Sequence, residues 1–203
     1  MLFRSKKGYR AIGMGVDQAA FLSPDKRAIL KIFGTKKRFG PEKLSNAQNM
    51  FITWANYCAV HRDNPYLIKF LKGENGKTWT PFIFNGHRYI QMWQEFLPAL
   101  SYQNSKTVAM LSGVIRDTSR EEFSEYLKAL DLPASKRPYG TQIARFLKAG
   151  KKYLGSGFPL FVNTVMDLKE IAKQNGARLD LLLDNFRRRA DGTPVIVDPW
   201  YAN

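Results

Sequence analysis

The sequence predicts an α+β fold in which an antiparallel sheet with one helix comes first and a set of helices follows. Three observations carry that reading. Short apolar runs separated by turn residues fill the first half, and helical spacing takes over after residue 99. Of the 203 residues, 44% are hydrophobic and 24% charged, the balance of a chain that folds around a core. Strands segregated from helices form α+β layers rather than a wound parallel sheet. The division expected is an N-terminal lobe over residues 1–97 and a reduced helical lobe over 98–203.

Three strands are expected between Tyr9 and Phe33. Arg10-Ala11-Ile12 leads into Gly13-Met14-Gly15, Ala19-Ala20-Phe21-Leu22 leads out, and Ser23-Pro24-Asp25-Lys26 is turn chemistry. The third strand, Ala28-Ile29-Leu30-Lys31-Ile32-Phe33, is apolar apart from one lysine. A Gly-x-Gly between two strands lets backbone amides approach phosphate, because glycine carries no side chain; a plain hairpin tip is the alternative. Likewise Lys31 is either a functional lysine or a solvent-facing one. A basic loop with Lys36, Lys37 and Arg38 precedes a helix that Ser45 or Asn46 caps. Ala47, Met50, Phe51, Trp54, Ala55 and Cys58 recur there at helical spacing, so one stripe faces a core.

Asn64-Pro65 breaks the chain, and strands are expected over Tyr66–Leu71, Thr78–Phe84 and Tyr89–Trp93. Gly73-Glu74-Asn75-Gly76 and Asn85-Gly86 make the turns between them. Gln94-Glu95-Phe96-Leu97-Pro98 then links to the helical half. Helices are expected over Ser105–Ile115, from Ser119 to about Leu130, over Gln142–Tyr153 and over Leu160–Gln174. Ser119 with Glu122 is a capping box, and Asn175-Gly176 is a C-cap.

The final stretch, Ala177 to Tyr201, holds the densest chemistry. Asp180 stands five positions before Asn185, and Asp198 ends the apolar run Val195-Ile196-Val197. Ala190-Asp191-Gly192-Thr193 reads as a hairpin turn. A loop with Asp180 and Asn185 would thus lead into two short strands that return Asp198 beside them. Oxygen donors of this kind suit a hard ion such as Mg²⁺. A surface hairpin with incidental acids is the alternative.

Bulk properties exclude several classes. No apolar run approaches the roughly 20 residues of a membrane span, and MLFRSKKGYR lacks the apolar core of a secretory signal. The single Cys58 excludes an internal disulfide, and one Cys with two His (His61, His87) makes a zinc site a poor expectation. Net charge is the outlier at +15, a value that attracts polyanions: acidic protein segments, nucleotides or nucleic acid.

In order and spacing these motifs resemble those of the protein kinases. Gly13 and Gly15, then Ala28-Ile29-Leu30-Lys31, then Glu95-Phe96-Leu97, then Asp180 and Asn185 with four residues between them, then Asp198, follow the family's sequence of glycine loop, lysine strand, hinge, catalytic loop and metal-binding Asp. The small early serine/threonine kinases of lytic podophages look most similar, with the minimal kinases secreted by some bacterial pathogens second. The resemblance implies a minimal two-lobed protein-kinase-like fold, with ATP and Mg²⁺ as cofactors. It implies Gly13 and Gly15 over the phosphates and Lys31 paired with the α/β-phosphates. Gln94 becomes the gatekeeper, with the backbone of Glu95 and Leu97 against adenine. Asp180 becomes the base, and Asn185 and Asp198 the metal ligands.

The resemblance also implies a Ser/Thr protein kinase acting on host proteins in the bacterial host cytoplasm. An acidic host protein is the expected partner; nucleic acid is less favoured, and no membrane is expected. The departures matter. The third glycine is replaced by Gln18, Arg178-Leu179-Asp180 stands for His-Arg-Asp, Leu182 stands where a phosphate-binding lysine is common, and Pro199-Trp200 stands for Phe-Gly. No Glu lies on the helix after Lys31; Glu42 precedes it and Gln48 is the nearest polar group on it, so Gln48 or another acid such as Asp198 would orient the lysine. Five residues follow Asp198, so no activation segment is expected. Two other classes therefore stay open: a kinase-shaped protein that binds and inhibits an acidic host protein, and a small-molecule phosphotransferase.

Overall fold

The computed structural model describes residues 8–14, 18–34, 46–72 and 76–202. It is an α+β structure whose chain divides into two compact units between Leu97 and Pro98.

The first unit is an antiparallel sheet with one helix. Its strands are β1 (Arg10–Met14), β2 (Gln18–Leu22), β3 (Ala28–Gly34), β4 (Phe70–Leu71), β5 (Trp79–Phe84) and β6 (His87–Glu95), and its helix is α1 (Asn46–Val60). The order is β1-β2-β3-β6-β4, with β5 also paired to β6. Local chemistry makes the turns. Ser23 Oγ donates to Asp25 Oδ1 at 2.6 Å, Arg27 N–H donates to the same oxygen at 3.1 Å, and Ala28 N–H donates to Ser23 Oγ at 3.0 Å. The Ser23 hydroxyl is the main reason the Asp25 carboxyl lies below the ordinary carboxylate range. Asn85 and Gly86 take φ of 49° and 73°, the two positive values a tight hairpin needs.

One expected strand is largely absent. Of Tyr66–Leu71 only Phe70–Leu71 pairs as a strand. Asn64 Oδ1 accepts the Tyr66 N–H at 3.0 Å and the Asn64 carbonyl accepts the Leu67 N–H at 3.3 Å, so a turn holds the chain here. Tyr66, Leu67 and Ile68 are buried from that turn, which accounts for their apolar character without a ladder. The core joins Phe33, Ala55, Ile90 and Met92, with Phe51, Ile52, Phe70 and Trp79 packed against it. Phe33 and Phe51 stack with ring centroids 3.6 Å apart. Gly34 faces Tyr89 across the β3–β6 ladder, and a Cβ at that position would run into the Tyr89 ring.

The second unit carries helices α2 (Tyr102–Asp117), α3 (Arg120–Lys128), α4 (Thr141–Leu154) and α5 (Phe158–Gln174). Four short strands follow: β7 (Ala177–Leu179), β8 (Phe186–Arg188), β9 (Pro194–Ile196) and β10 (Trp200–Ala202). Ser101 caps α2, and the reciprocal capping box of Ser119 and Glu122 opens α3. Helix α5 begins at Phe158, two residues before the expected Leu160, because Pro159 sits in the first turn, where a missing N–H costs nothing. Helix α2 packs on both α4 and α5 and buries Val108, Leu111 and Ile115 completely. Lys169 of α5 donates its ammonium to the carbonyls of Ile115 and Thr118, satisfying the C-terminal end of α2.

Candidate active site

In the second unit the loop after β7 is held by main-chain hydrogen bonds. Strand β7 pairs with β10, and β8 pairs with β9. The Asp180 N–H donates to the Pro199 carbonyl at 2.7 Å, and the Val197 N–H donates to the Asn185 carbonyl at 3.0 Å. Asp198 is therefore flanked on both sides by bonds to the segment that carries Asp180 and Asn185. A third bond closes the set: Asn185 Nδ2 donates to the Asp180 carbonyl at 2.6 Å. That donation fixes which way the amide faces, leaving Asn185 Oδ1 as the atom able to accept or ligate. Asp180, Asn185 and Asp198 are all half-buried.

The hairpin between them is tied at its turn. Gly192 has φ of 90°, its N–H donates to the Arg189 carbonyl at 3.0 Å, and its carbonyl accepts the Tyr153 hydroxyl of α4 at 3.0 Å. Asp191 Oδ1 accepts the Thr193 N–H at 2.9 Å, a bond that draws the Asp191 carboxyl below its ordinary range.

These bonds bring the Asp180, Asn185 and Asp198 positions onto adjoining segments, and a carboxylate with an amide oxygen, as at Asp198 and Asn185, is a donor chemistry that suits a hard divalent ion. No cluster of three or more His, Cys, Asp or Glu residues suited to a metal occurs among the described residues.

In the first unit, Lys31 is 6% exposed and lies in register with Ala20 on one side and Met92 on the other. Its ammonium lies 5.9 Å from the centre of the Phe51 ring, within cation–π range. Gln48, the expected helix partner of Lys31, also ties its helix to the sheet. Its Nε2 donates to the carbonyls of Phe33 at 3.2 Å and Arg88 at 3.0 Å, pinning α1 to strands β3 and β6. Phe51, one helical turn further on, is the α1 residue set over the lysine. The stripe pattern marked Phe51 only as core, and nothing local distinguished it from Met50 or Trp54.

Gly13 stands opposite Ala20 beside a bulge in the β1–β2 ladder. Among the described residues, a Cβ there would meet the Ala20 methyl at 4.0 Å, an ordinary van der Waals contact. Gly15, Glu42, Ser45 and the Lys36-Lys37-Arg38 cluster lie outside the described residues. At the end of β6, the Glu95 N–H donates to the Lys69 carbonyl at 2.9 Å, and Glu95 Oε1 accepts the Lys69 N–H at 2.9 Å. The Phe96 N–H donates to the Arg27 carbonyl, which leaves Leu97 as the next backbone donor along the segment. Gln94 is 3% exposed, and its Oε1 has no hydrogen-bond partner among the described residues.

The arginines after Asn185 also divide. Arg187 turns back on the chain, donating Nη1 to the carbonyls of Asp184 at 2.8 Å and Phe186 at 3.0 Å, so it braces the loop. Arg188 is the exposed member.

No protein-family model matches the sequence, and no curated protein matches it. Solved structures do. An aminoglycoside phosphotransferase from Alicyclobacillus acidocaldarius aligns with 95% of this chain and 62% of its own, at 9% identity and a TM-score of 0.38. The amicoumacin kinase hAmiN, in complex with AMP-PNP and Ca²⁺, aligns with 95% of this chain and 58% of its own, at 15% identity and a TM-score of 0.44. The ROP18 kinase domain, with AMP-PNP and sucrose, aligns with 93% and 49%, at 14% identity and a TM-score of 0.34. This chain thus spans less than two thirds of each of these chains.

Proposed function

We propose that the protein is an ATP- and Mg²⁺-dependent phosphotransferase, and that its acceptor is a Ser or Thr hydroxyl of an acidic host protein. The observation that supports this most is the hydrogen-bonded set around Asp180, Asn185 and Asp198. Bound Mg²⁺ supplies neutralisation of the phosphate charge, and such transfers rely on positioning and electrostatics more than on covalent chemistry. In this reading Asp180 accepts the proton of the acceptor hydroxyl. Asn185 Oδ1 and the Asp198 carboxylate hold the ion. Lys31 pairs with the α/β-phosphates, Gly13 and Gly15 admit the phosphate chain, and Glu95 and Leu97 offer backbone groups to adenine. The +15 charge supports an acidic partner met in the bacterial host cytoplasm.

The test is label transfer from γ-labelled ATP, with Mg²⁺, into a bacterial lysate. Label on protein, lost in Asp180→Ala and on chelation of Mg²⁺, is the expected result. Label confined to the small-molecule fraction would make the acceptor a metabolite. ATP binding without any transfer would make the protein a kinase-shaped binder. A specific feature favours that second reading: α1 has no acidic residue, and Phe51 occupies the position over Lys31.

A further inference from the structure

Within the second unit a cleft of about 390 Å³ runs between helix α2 and the loop that carries Asp180. Tyr102, Lys106, Met110, Gly113 and Arg116 line it from α2, at the three- and four-residue steps that place side chains on one helical face. Asp180 lines it from the loop and is the only acid among its described lining residues. Lys106 makes no ion pair among the described residues, whereas Arg116 is held by Asp117 through Nε at 2.7 Å. Leu182 and Leu183, both exposed, form the apolar wall.

Gly113 is the informative residue. Glycine inside a helix is destabilising relative to alanine and normally signals a close approach. Here a methyl at Gly113 would meet no heavy atom within 4 Å outside its own helix, in contrast to Gly150 of α4, where Leu111 stands 2.7 Å away. Packing does not require the glycine; the space it leaves belongs to the cleft.

We propose that this cleft is the acceptor subsite, and that it takes a peptide segment with acidic residues and an aliphatic side chain beside the hydroxyl delivered to Asp180. Charge and shape both argue for that occupant. Arg116 is matched by Asp117, so the cation the cleft offers an acidic chain is Lys106, within a chain of net charge +15. Tyr102 and Leu182 remain 69% and 63% exposed, so the cleft is an open trough, unlike the enclosed pockets that surround most small ligands. An extended chain can run through such a trough and place one side chain against the Leu182–Leu183 wall. The proposal extends the phosphotransfer reading by naming the substrate class of the same site.

The experiment is fluorescence anisotropy, without nucleotide, on a labelled peptide holding one serine among Asp, Glu and Leu residues. A second peptide with Lys in place of the acids is the control. The acidic peptide should bind at least about tenfold tighter than the basic one, with affinity falling as salt rises. Lys106→Glu and Gly113→Leu should each weaken it by about tenfold or more. Gly113→Ala should melt no lower than the wild type, showing that the glycine serves the cleft rather than the fold. Equal binding of the two peptides would overturn the proposal. So would wild-type affinity in both Lys106→Glu and Gly113→Leu, or binding of a free dicarboxylate with the same sensitivities but of no peptide. Acidic-peptide binding without phosphate transfer would sink the phosphotransfer reading and leave this subsite standing; transfer without acidic selectivity would do the reverse.

Discussion

Lys31 and Asp180 are fixed by opposite means. Around Lys31 the order comes from side chains: Phe51 beside the ammonium, Phe33 stacked on Phe51, and Gln48 pinning the helix to the sheet. Around Asp180 it comes from the main chain, through the Pro199 and Asn185 carbonyls and the one side-chain amide of Asn185. A site ordered by packing tolerates apolar substitutions that keep volume and suffers from changes of size or polarity. A site ordered by hydrogen bonds tolerates a change of shape at exposed positions but loses heavily when a donor goes missing.

The sharpest way to break this comparison is to remove the reactive groups. Asp180→Ala should lower transfer by about 10²- to 10⁴-fold, the usual range for a general base, with nucleotide affinity retained. Asp198→Ala should instead abolish Mg²⁺-dependent nucleotide binding. Isothermal titration beside a turnover assay separates the two, and wild-type turnover by Asp180→Ala would remove it from the chemistry. Next in size, Asn185→Leu leaves the Asp180 carbonyl without its donor and should cost about 1–3 kcal/mol in urea unfolding. An unchanged midpoint would mean the loop does not depend on that bond.

On the packing side, Gly34→Ala should cost about 1–3 kcal/mol, because the new methyl collides with the Tyr89 ring. Tyr89→Ala in the same chain should remove most of that extra cost, a coupling that a double-mutant cycle reads directly. Smaller still, Phe51→Leu keeps the apolar contact but loses the ring, worth about 0.5–1 kcal/mol to the lysine. Phe51→Glu is the informative companion. Raised transfer would show that a carboxylate at this position serves Lys31 better than the ring; reduced transfer would show that the ring serves it better.

The smallest effect is pH-linked. Because the Thr193 N–H lowers the folded-state pKa of Asp191, its contribution to the hairpin is complete above the unfolded carboxyl value of about 3.9. It is lost as pH falls through the lower folded value. Asp191→Asn should therefore lose slightly less thermal stability than the wild type between about pH 5 and pH 2. Parallel acid titrations of the two proteins would contradict this.

The same contrast explains what the sequence made legible. Ser23-Pro24-Asp25-Lys26, Asn85-Gly86, the Ser119–Glu122 box and the Asp191-Gly192 turn satisfy backbone groups a few residues away, so their residue types announce them. The Asp180–Asn185 spacing is legible for that reason too. Gln48, Phe51 and Arg187 act through neighbours that the fold chooses. Gln48 did leave a trace, since an amide precedes Phe51, Ala55 and Cys58 on one helical stripe, and it is 1% exposed. Tyr66-Leu67-Ile68 misled because burial from a turn and burial from a strand select the same apolar residues. Strand β10 escaped notice because its pairing with β7 depends on a partner some twenty residues upstream.

The bonds that hold Asp180 all join residues within 180–199. The ladder that positions Lys31 joins Ala28–Gly34 to His87–Glu95, across most of the first unit. Local contacts close with little loss of chain entropy, whereas distant ones must first bring remote segments together. On refolding from urea, the hairpin carrying Asp191 and Gly192 should form on the roughly 1–10 μs scale of isolated hairpins. The sheet around Lys31 should order later and limit the overall rate. In time, then, the hairpin beside the acids is an early piece, later docked through the Tyr153 hydroxyl and the Pro98 carbonyl, and the lysine reaches its place only after the slower strand register has been found.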